Sequence, residues 1–174
     1  MAGETSETKY GKYFLELKQP PGKPFAMGPV LGHFGDETIK GSNFYFLHWV
    51  LPHEVPKMKL GHPPHIHKEA ELLFHIGTNP DDPTDLGAEI EICMGPELEK
   101  HVITKSTVVF IPPNCIHAPW NPIRTWRPWI FIEVNQGLRH TEKFYPQLLT
   151  REQREGEDQS MWKDDHIEDW QPSK

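Results

Sequence analysis

The chain has 174 residues, of which 36% are hydrophobic, and its formal net charge is −7. This length suits one ordinary domain whose hydrophobic core is large enough to be stable without cross-links. The chain has two cysteines, Cys93 and Cys115, which excludes a disulfide scaffold and a four-cysteine zinc site. The negative charge argues against binding to nucleic acid, which needs a basic surface. Eleven histidines are present, and because histidine is the commonest metal ligand, their positions bear directly on function.

Residues 1–24 are interpreted as an N-terminal arm. They lack the apolar segment that a secretory signal requires, and no stretch of the chain approaches the ~20 apolar residues of a membrane span. Together with the sparse cysteines, this predicts a cytoplasmic protein that binds neither membranes nor nucleic acid. Glycines and prolines punctuate residues 1–40, which argues against a helix-turn-helix before the main domain.

Residues 25–150 are predicted to form an all-β domain. Twelve of the 18 prolines fall between Pro52 and Pro128, and because a proline inside a helix costs about 3 kcal/mol, long helices are not expected there. Short segments rich in branched and aromatic residues alternate with turn residues, which favours a sandwich or a small antiparallel barrel. The predicted strands are Phe44–Leu51, Leu72–Ile76, Ala88–Met94, Val102–Ile103, Thr107–Ile111 and Trp129–Val134.

Helical signal is confined to the ends of the chain, as at Glu142–Glu155. Residues 151–174 carry eight acidic and four basic side chains, which is −4 of the total charge of −7. They are interpreted as an acidic C-terminal segment on the surface. Trp162, Ile167 and Trp170 suggest that part of this segment docks onto the domain.

The densest chemistry lies in residues 61–71, which read GHPPHIHKEAE. On an extended strand, residues i and i+2 face the same way, so His65 and His67 should share a face, and Glu71 has the same parity. His117 follows a strand and a Pro-Pro-Asn turn, so the fold can bring it opposite this face. A His-x-His pair alone is often merely solvated, but with a carboxylate and a later histidine it suits Fe(II), Mn(II), Zn(II) or Ni(II).

The first of these segments resembles a sequence motif of the cupin superfamily, in its single-domain, cupin 2-like form. The motif is Gly-x5-His-x-His-x(3,4)-Glu-x6-Gly, and it matches at His65, His67 and Glu71. Gly77 stands one residue earlier than the closing glycine. Lys59 stands where the opening glycine is expected.

The second segment resembles the other cupin motif, Gly-x5-Pro-x-Gly-x2-His-x3-Asn. It matches at Pro112, His117 and Asn121, while Ser106 and Asn114 stand in place of the two glycines. Asn114 can adopt the left-handed conformation that glycine serves. The departures affect framework glycines and leave the ligand positions intact.

The resemblance implies a small antiparallel β-barrel or jelly roll with short helices near the C-terminus, often as a homodimer. It implies that His65, His67, Glu71 and His117 hold one divalent metal ion, with iron favoured and manganese, zinc or nickel as alternatives. Glu69 has the right parity but lies too close to His67 for the family spacing. Four protein ligands leave one or two open positions on a six-coordinate ion, as a catalytic site needs.

Two further histidines are candidates for the pocket. His75 shares the parity of Glu71, and His48 lies in an apolar row of its strand. Each is either a substrate contact or proton carrier, or a hydrogen-bonded core residue. His62 is expected at the mouth or in a loop, and the remaining histidines are not assigned a role.

The loop after the second motif carries arginine and tryptophan. Arg124 and Arg127 would suit an anionic substrate if the loop caps the pocket, but surface ion pairs are the simpler expectation. Trp120, Trp126 and Trp129 fit either a pocket for a planar ligand or a dimer interface.

The sequence thus favours a metal-dependent enzyme that acts on a small organic molecule, with dioxygenase-type oxidation as the first hypothesis. Isomerisation, decarboxylation or lyase chemistry on the same site is an alternative, in which the metal polarises a carbonyl group. A non-catalytic protein that binds a metabolite is a further alternative. A seed-storage-like structural role is disfavoured because all four ligand positions are present.

Overall fold

A computed structural model describes residues 8–17, 25–55, 60, 62–155, 157 and 159–166. Within this part of the chain, ten β-strands form two antiparallel five-stranded sheets, which confirms the predicted all-β, jelly-roll class. Among the described residues, helical structure is limited to α1 (Arg151–Glu155) and short 3-10 turns, the last two of which also lie near the C-terminus. No helix among the described residues has the length and hydropathy to cross a lipid bilayer.

The first sheet has the strand order β1-β2-β9-β4-β7. These strands are β1 (Val30–Phe34), β2 (Phe44–Val50), β4 (Glu71–Gly77), β7 (Thr107–Ile111) and β9 (Trp129–Asn135). Its registers place Glu71 opposite both Ile111 and Asn135. Glu71 therefore points between the sheets, as its parity predicts.

The second sheet has the strand order β10-β3-β8-β5-β6. These strands are β3 (His65–Ile66), β5 (Asp85–Met94), β6 (Glu99–Lys105), β8 (His117–Thr125) and β10 (Lys143–Phe144). The register between β3 and β8 sets His65 directly opposite His117. The two motifs thus meet on adjacent strands of one sheet.

The hydrophobic core lies between the sheets and gives way to polar residues at one end. Along β9, the inward side chains change from Trp129 and Phe131 to Glu133 and Asn135. The buried core cluster comprises Met27, Val50, Leu73, Leu86, Ala88, Ile90, Ile92, Ile103, Ile111, Trp129 and Phe131. The polar end is where the ligand candidates converge.

All six predicted strands are confirmed, with ends that differ by a few residues. The short strand β3 corresponds to the extended segment assumed for His65 and His67. Three further strands, β1, β8 and β10, are not among the predicted ones. The last of these replaces the start of the helix predicted over Glu142–Glu155, because Lys143 and Phe144 pair with β3. That helical prediction is wrong before Arg151, where Pro146 also removes a backbone donor and starts only a 3-10 turn.

Part of the acidic C-terminal segment docks onto the domain. Glu142 and Asp165 form an isolated β-bridge with N–O distances of 2.9 and 2.8 Å, and the Phe144 N–H donates to Asp164 Oδ1 at 3.0 Å. Trp162 is half-buried, whereas Ile167 and Trp170 lie outside the described residues. The boundaries at 24 and 150 stay predictions.

Gly77 is required where β4 ends. A Cβ added there would lie 2.1 Å from the Asp85 carbonyl oxygen, which is rigid backbone. We expect Gly77→Ala to lower the free energy of unfolding by about 1–3 kcal/mol, the range for overpacking, as measured by urea titration. Gly35→Ala is the control, because its Cβ would meet only the flexible Glu37 carboxylate at 3.0 Å. Equal losses in both variants would contradict this.

Candidate metal centre

Three buried imidazoles converge at the polar end of the sandwich. His65 lies on β3, His67 follows it, and His117 begins β8. The ring centroids of His65 and His117 are 4.1 Å apart. The ring centroid of His67 lies 4.9 Å from that of His65 and 5.0 Å from that of His117. One ligand atom from each lies within 4.8 Å of the others. The fold therefore brings together the three histidines that the sequence singles out.

Each of the three rings is held by a backbone carbonyl on its Nδ1 side. The bonds run from His65 to Pro63 at 2.7 Å, from His117 to Cys115 at 3.1 Å, and from His67 to Thr141. A carbonyl oxygen can only accept, so Nδ1 carries the proton in each ring. In the neutral ring Nε2 is then left as the lone-pair donor, which is the tautomer that a metal ligand needs.

Glu71 supplies a carboxylate to the same centre. It is 2% exposed, and its two oxygens lie 3.2 Å from His67 Nε2 and 3.1 Å from His117 Nε2. Glu69, the competitor for this role, instead accepts a hydrogen bond from the Thr141 hydroxyl at 3.2 Å. Three nitrogens and one carboxylate with these spacings fit a divalent transition metal.

The pKa shifts of His67 and Glu71 indicate that the centre between them favours a positive charge. Burial opposes protonation of His67, but the adjacent Glu71 carboxylate outweighs it and raises the pKa of His67 to about 9. Burial likewise opposes ionisation of Glu71, yet His67 and His117 hold the pKa of this carboxyl well below its usual range. A cation at the centre would take the place of that proton.

The centre opens into a cavity of about 230 Å³ with two unlike halves. The apolar half is built mainly from Phe25, Phe46, Leu73, Trp120 and Phe131. The polar half contains the four ligand candidates together with four further side chains: His62, Glu133, His140 and Glu142. Among the described residues that line the cavity, none is a lysine or an arginine.

Two carboxyl groups besides Glu71 face this cavity. Glu142 Oε1 lies 3.3 Å from His62 Nδ1 and 3.5 Å from His65 Nε2, and burial raises the pKa of Glu142 to about 8. Glu133 Oε1 lies 3.5 Å from His140 Nε2, and burial together with the charge of Glu71 raises the pKa of Glu133. The pocket thus holds surplus acidic groups around the ligand set.

The two histidines that were candidates for the pocket occupy different layers. His48 lines the cavity among Phe25, Phe46 and Phe131, and its Nδ1 donates to the Trp49 carbonyl at 3.0 Å. His75 does not line the cavity, because its fully buried ring lies one layer below.

Trp120 Nε1 donates to His75 Nε2 at 3.0 Å. Burial lowers the pKa of both His48 and His75 to about 4, so both rings are neutral at pH 7. His75 is therefore a hydrogen-bonded core residue that supports Trp120.

The arginines after the second motif lie away from the cavity. Arg124 pairs with Glu89 at 3.1 Å and Arg127 with Asp85 at 2.5 Å, which agrees with the simpler expectation of surface ion pairs. The three tryptophans differ as well. Trp120 lines the cavity, Trp129 is fully buried in the core, and Trp126 is largely exposed.

The segment His140–Thr141–Glu142 is not among the residues predicted for the site. It follows β9 and supplies a cavity-lining imidazole, the carbonyl that orients His67, and a buried carboxylate. His62, expected at the mouth, is half exposed and lines the cavity too. The His-x-Glu spacing at 140–142 repeats the i, i+2 spacing of His65 and His67, and that signal was available in the sequence.

No protein-family model and no curated protein matches the sequence. Among solved structures, the chain is similar to a mutant of oxalate decarboxylase from Bacillus subtilis, with 13% identity and a TM-score of 0.47 over 74% of this chain and 30% of that one. It is also similar to the formate complex of oxalate decarboxylase from Lactobacillus farciminis, with 15% identity and a TM-score of 0.47 over 74% and 33%. The chain spans about a third of the length of these structures.

The neutral state of His75 predicts a pH dependence of stability. Because its pKa is about 4 in the folded protein against an ordinary 6.5, the unfolded chain binds the proton more readily. The contribution of the neutral His75 ring to the free energy of unfolding is therefore fully retained above pH 6.5 and is lost as the pH falls toward 4. His75→Gln keeps an acceptor for Trp120. In the metal-free protein, we expect this variant to lose about 2–3 kcal/mol less unfolding free energy than the wild type between pH 7 and pH 4.5.

Urea titrations at the two pH values measure this effect. His101→Gln on β6 is the control, since that side chain is exposed. An unchanged pH dependence in His75→Gln would show that the buried ring does not contribute.

Proposed function

We propose that this protein is a metal-dependent enzyme that acts on a small organic molecule. His65, His67, Glu71 and His117 hold one divalent transition-metal ion, with iron and manganese as the ions that best suit three imidazoles, a carboxylate and open octahedral positions. The observation that carries the proposal is that all three rings are fixed by backbone carbonyls at Nδ1, and that the Nε2 atoms of His67 and His117 lie beside Glu71. When bound, the ion supplies Lewis acidity or a site for oxygen.

The composition of the cavity favours a particular charge for the substrate. Glu71, Glu133 and Glu142 face it, and none of the described lining residues is a lysine or an arginine. A dianionic substrate would find no lysine or arginine among these residues to pair with its second charge. The substrate is instead an uncharged or singly charged molecule whose apolar part packs on Phe46, Trp120 and Phe131.

The polar half of the cavity supports a reaction with proton transfer. Glu133 and His140 lie 3.5 Å apart and form a pair that can hold or pass a proton at the edge of the cavity. Their presence favours isomerase, decarboxylase or lyase chemistry. A dioxygenase remains the second candidate, and the aromatic half of the cavity favours it, because it would hold an aromatic substrate beside the open positions.

We expect His65→Ala combined with His67→Ala to abolish metal binding. Wild-type protein reconstituted anaerobically with Fe(II) or Mn(II) should carry one ion per chain by elemental analysis, and the double variant should carry only background. His101→Ala, on an exposed strand, should match the wild type. Unchanged metal content in the double variant would refute the assignment. Oxygen uptake with a panel of aromatic and carbonyl substrates then separates dioxygenation from the non-oxidative reactions.

We also propose that the chain forms a homodimer through the outer face of the first sheet. Cross-strand pairs on β4 and β7 present Leu72, Phe74, Ile76, Val108 and Phe110, here called the β4–β7 stripe. Val108, Phe110 and Ile76 are 51%, 56% and 38% exposed.

The outer face of the second sheet is charged instead. Glu91 pairs there with Lys100, and Glu89 pairs with Arg124. The β4–β7 stripe carries no charge, so it is complementary to a second copy of itself.

Val108→Lys combined with Phe110→Lys should convert the dimer to a monomer at micromolar concentration, because the lysines would place like charges at a self-complementary interface. Sedimentation equilibrium measures the change. Val102→Lys on β6 is the matched control, since Val102 is 62% exposed on the other sheet. A monomeric wild type, or a dimer that survives the double substitution, would contradict the proposal.

A further inference from the structure

Glu142 is a carboxylate beside the ligand set that neither sequence motif supplies. It lies between β9 and β10, outside both motifs, and it is 7% exposed. Its Oε1 is buried and has no hydrogen-bond partner among the described residues, although His62 and His65 lie 3.3 and 3.5 Å away. A buried carboxylate oxygen without a donor carries a desolvation cost that a cation would offset.

This oxygen lies at about ligand spacing from one of the three histidines, His65. Neighbouring ligand atoms on an octahedral ion with bonds of about 2.1 Å lie about 3 Å apart. The distances from Glu71 to His67 and His117 are 3.2 and 3.1 Å, and the distance from Glu142 to His65 is 3.5 Å. Glu71 thus sits beside two of the imidazoles and Glu142 beside the third.

We infer that Glu142 is a second carboxylate ligand of the ion, so that the protein supplies five ligands and leaves one position for water or substrate. The inference rests on the proposed metal centre and adds a residue to it. Glu142 neutralises the remaining charge of a divalent ion, which agrees with an uncharged or singly charged substrate. His62, whose ring centroid lies 4.5 Å from that of His65, flanks the carboxylate on the solvent side.

The backbone holds Glu142 in this place. Its N–H and C=O both bond to Asp165 in the docked C-terminal segment. The carbonyl of the preceding residue, Thr141, accepts the bond from His67 Nδ1. The same short segment therefore orients one histidine ligand and presents the additional carboxylate, which is the preorganisation that a ligand requires.

The first experiment counts the water molecules on Mn(II) bound to the wild type. Five protein ligands on a six-coordinate ion leave one water, whereas four leave two. Water-proton relaxivity and ¹⁷O-water broadening of the Mn(II) EPR signal report this number without any substrate. One water supports the inference, and two waters overturn it while leaving the proposed metal centre intact.

The second experiment compares Glu142→Gln with Glu133→Gln. Each variant removes one carboxylate from the same cavity, so the comparison separates direct ligation from general electrostatic attraction. We expect Glu142→Gln to weaken Mn(II) binding at least about tenfold relative to Glu133→Gln, as measured by competition with a chelator, and to add one bound water. Equal affinities and equal water counts would overturn the inference. A wild type that binds no Mn(II) would instead refute the metal centre itself.

Discussion

The arrangement of the site depends on the register between β3 and β8. That register sets His65 against His117 across one pair of strands, although 52 positions separate the two residues in the chain (117 − 65). A slip of one residue would turn either side chain to the opposite face of the sheet. The carbonyls of Pro63 and Cys115 then fix each ring at its Nδ1, so strand pairing determines both the position and the tautomer of these two imidazoles.

Much of this could be predicted from local sequence patterns. Alternation along Ala88–Met94 identified a strand, and the i, i+2 spacing of His65 and His67 identified their common face. Asn114 has a φ of 64°, so it does adopt the left-handed conformation expected where the motif has glycine. These features depend on neighbours in the chain, which is why the sequence alone was sufficient for them.

What could not be predicted depends on contacts between distant segments. The strand β8 contains Pro119 and Pro122, which sequence rules read as breaks and which the structure accommodates within the strand. The helix predicted from Glu142 does not form there, because Glu142 pairs with Asp165 while Lys143 and Phe144 pair with β3. The His-x-Glu spacing at 140–142 marks candidate side chains, but no local pattern encodes their partners. Neither the bond from His67 to the Thr141 carbonyl nor the approach of Glu142 to His65 therefore follows from the sequence.

The same contacts explain why the two ends of one sandwich differ in character. Trp129 and Phe131 face the core and Glu133 faces the cavity on a single strand, so the core and the site share one continuous backbone. His75 joins the two layers, because it is buried in the apolar layer while it accepts a hydrogen bond from Trp120 at the cavity wall. The aromatic half of the cavity is therefore held by the buried core, whereas Glu142 and His140 in its polar half are held by the backbone bridge from Glu142 to Asp165. Because the Thr141 carbonyl in this segment also orients His67, a change in the segment would reach the ligand set through that hydrogen bond.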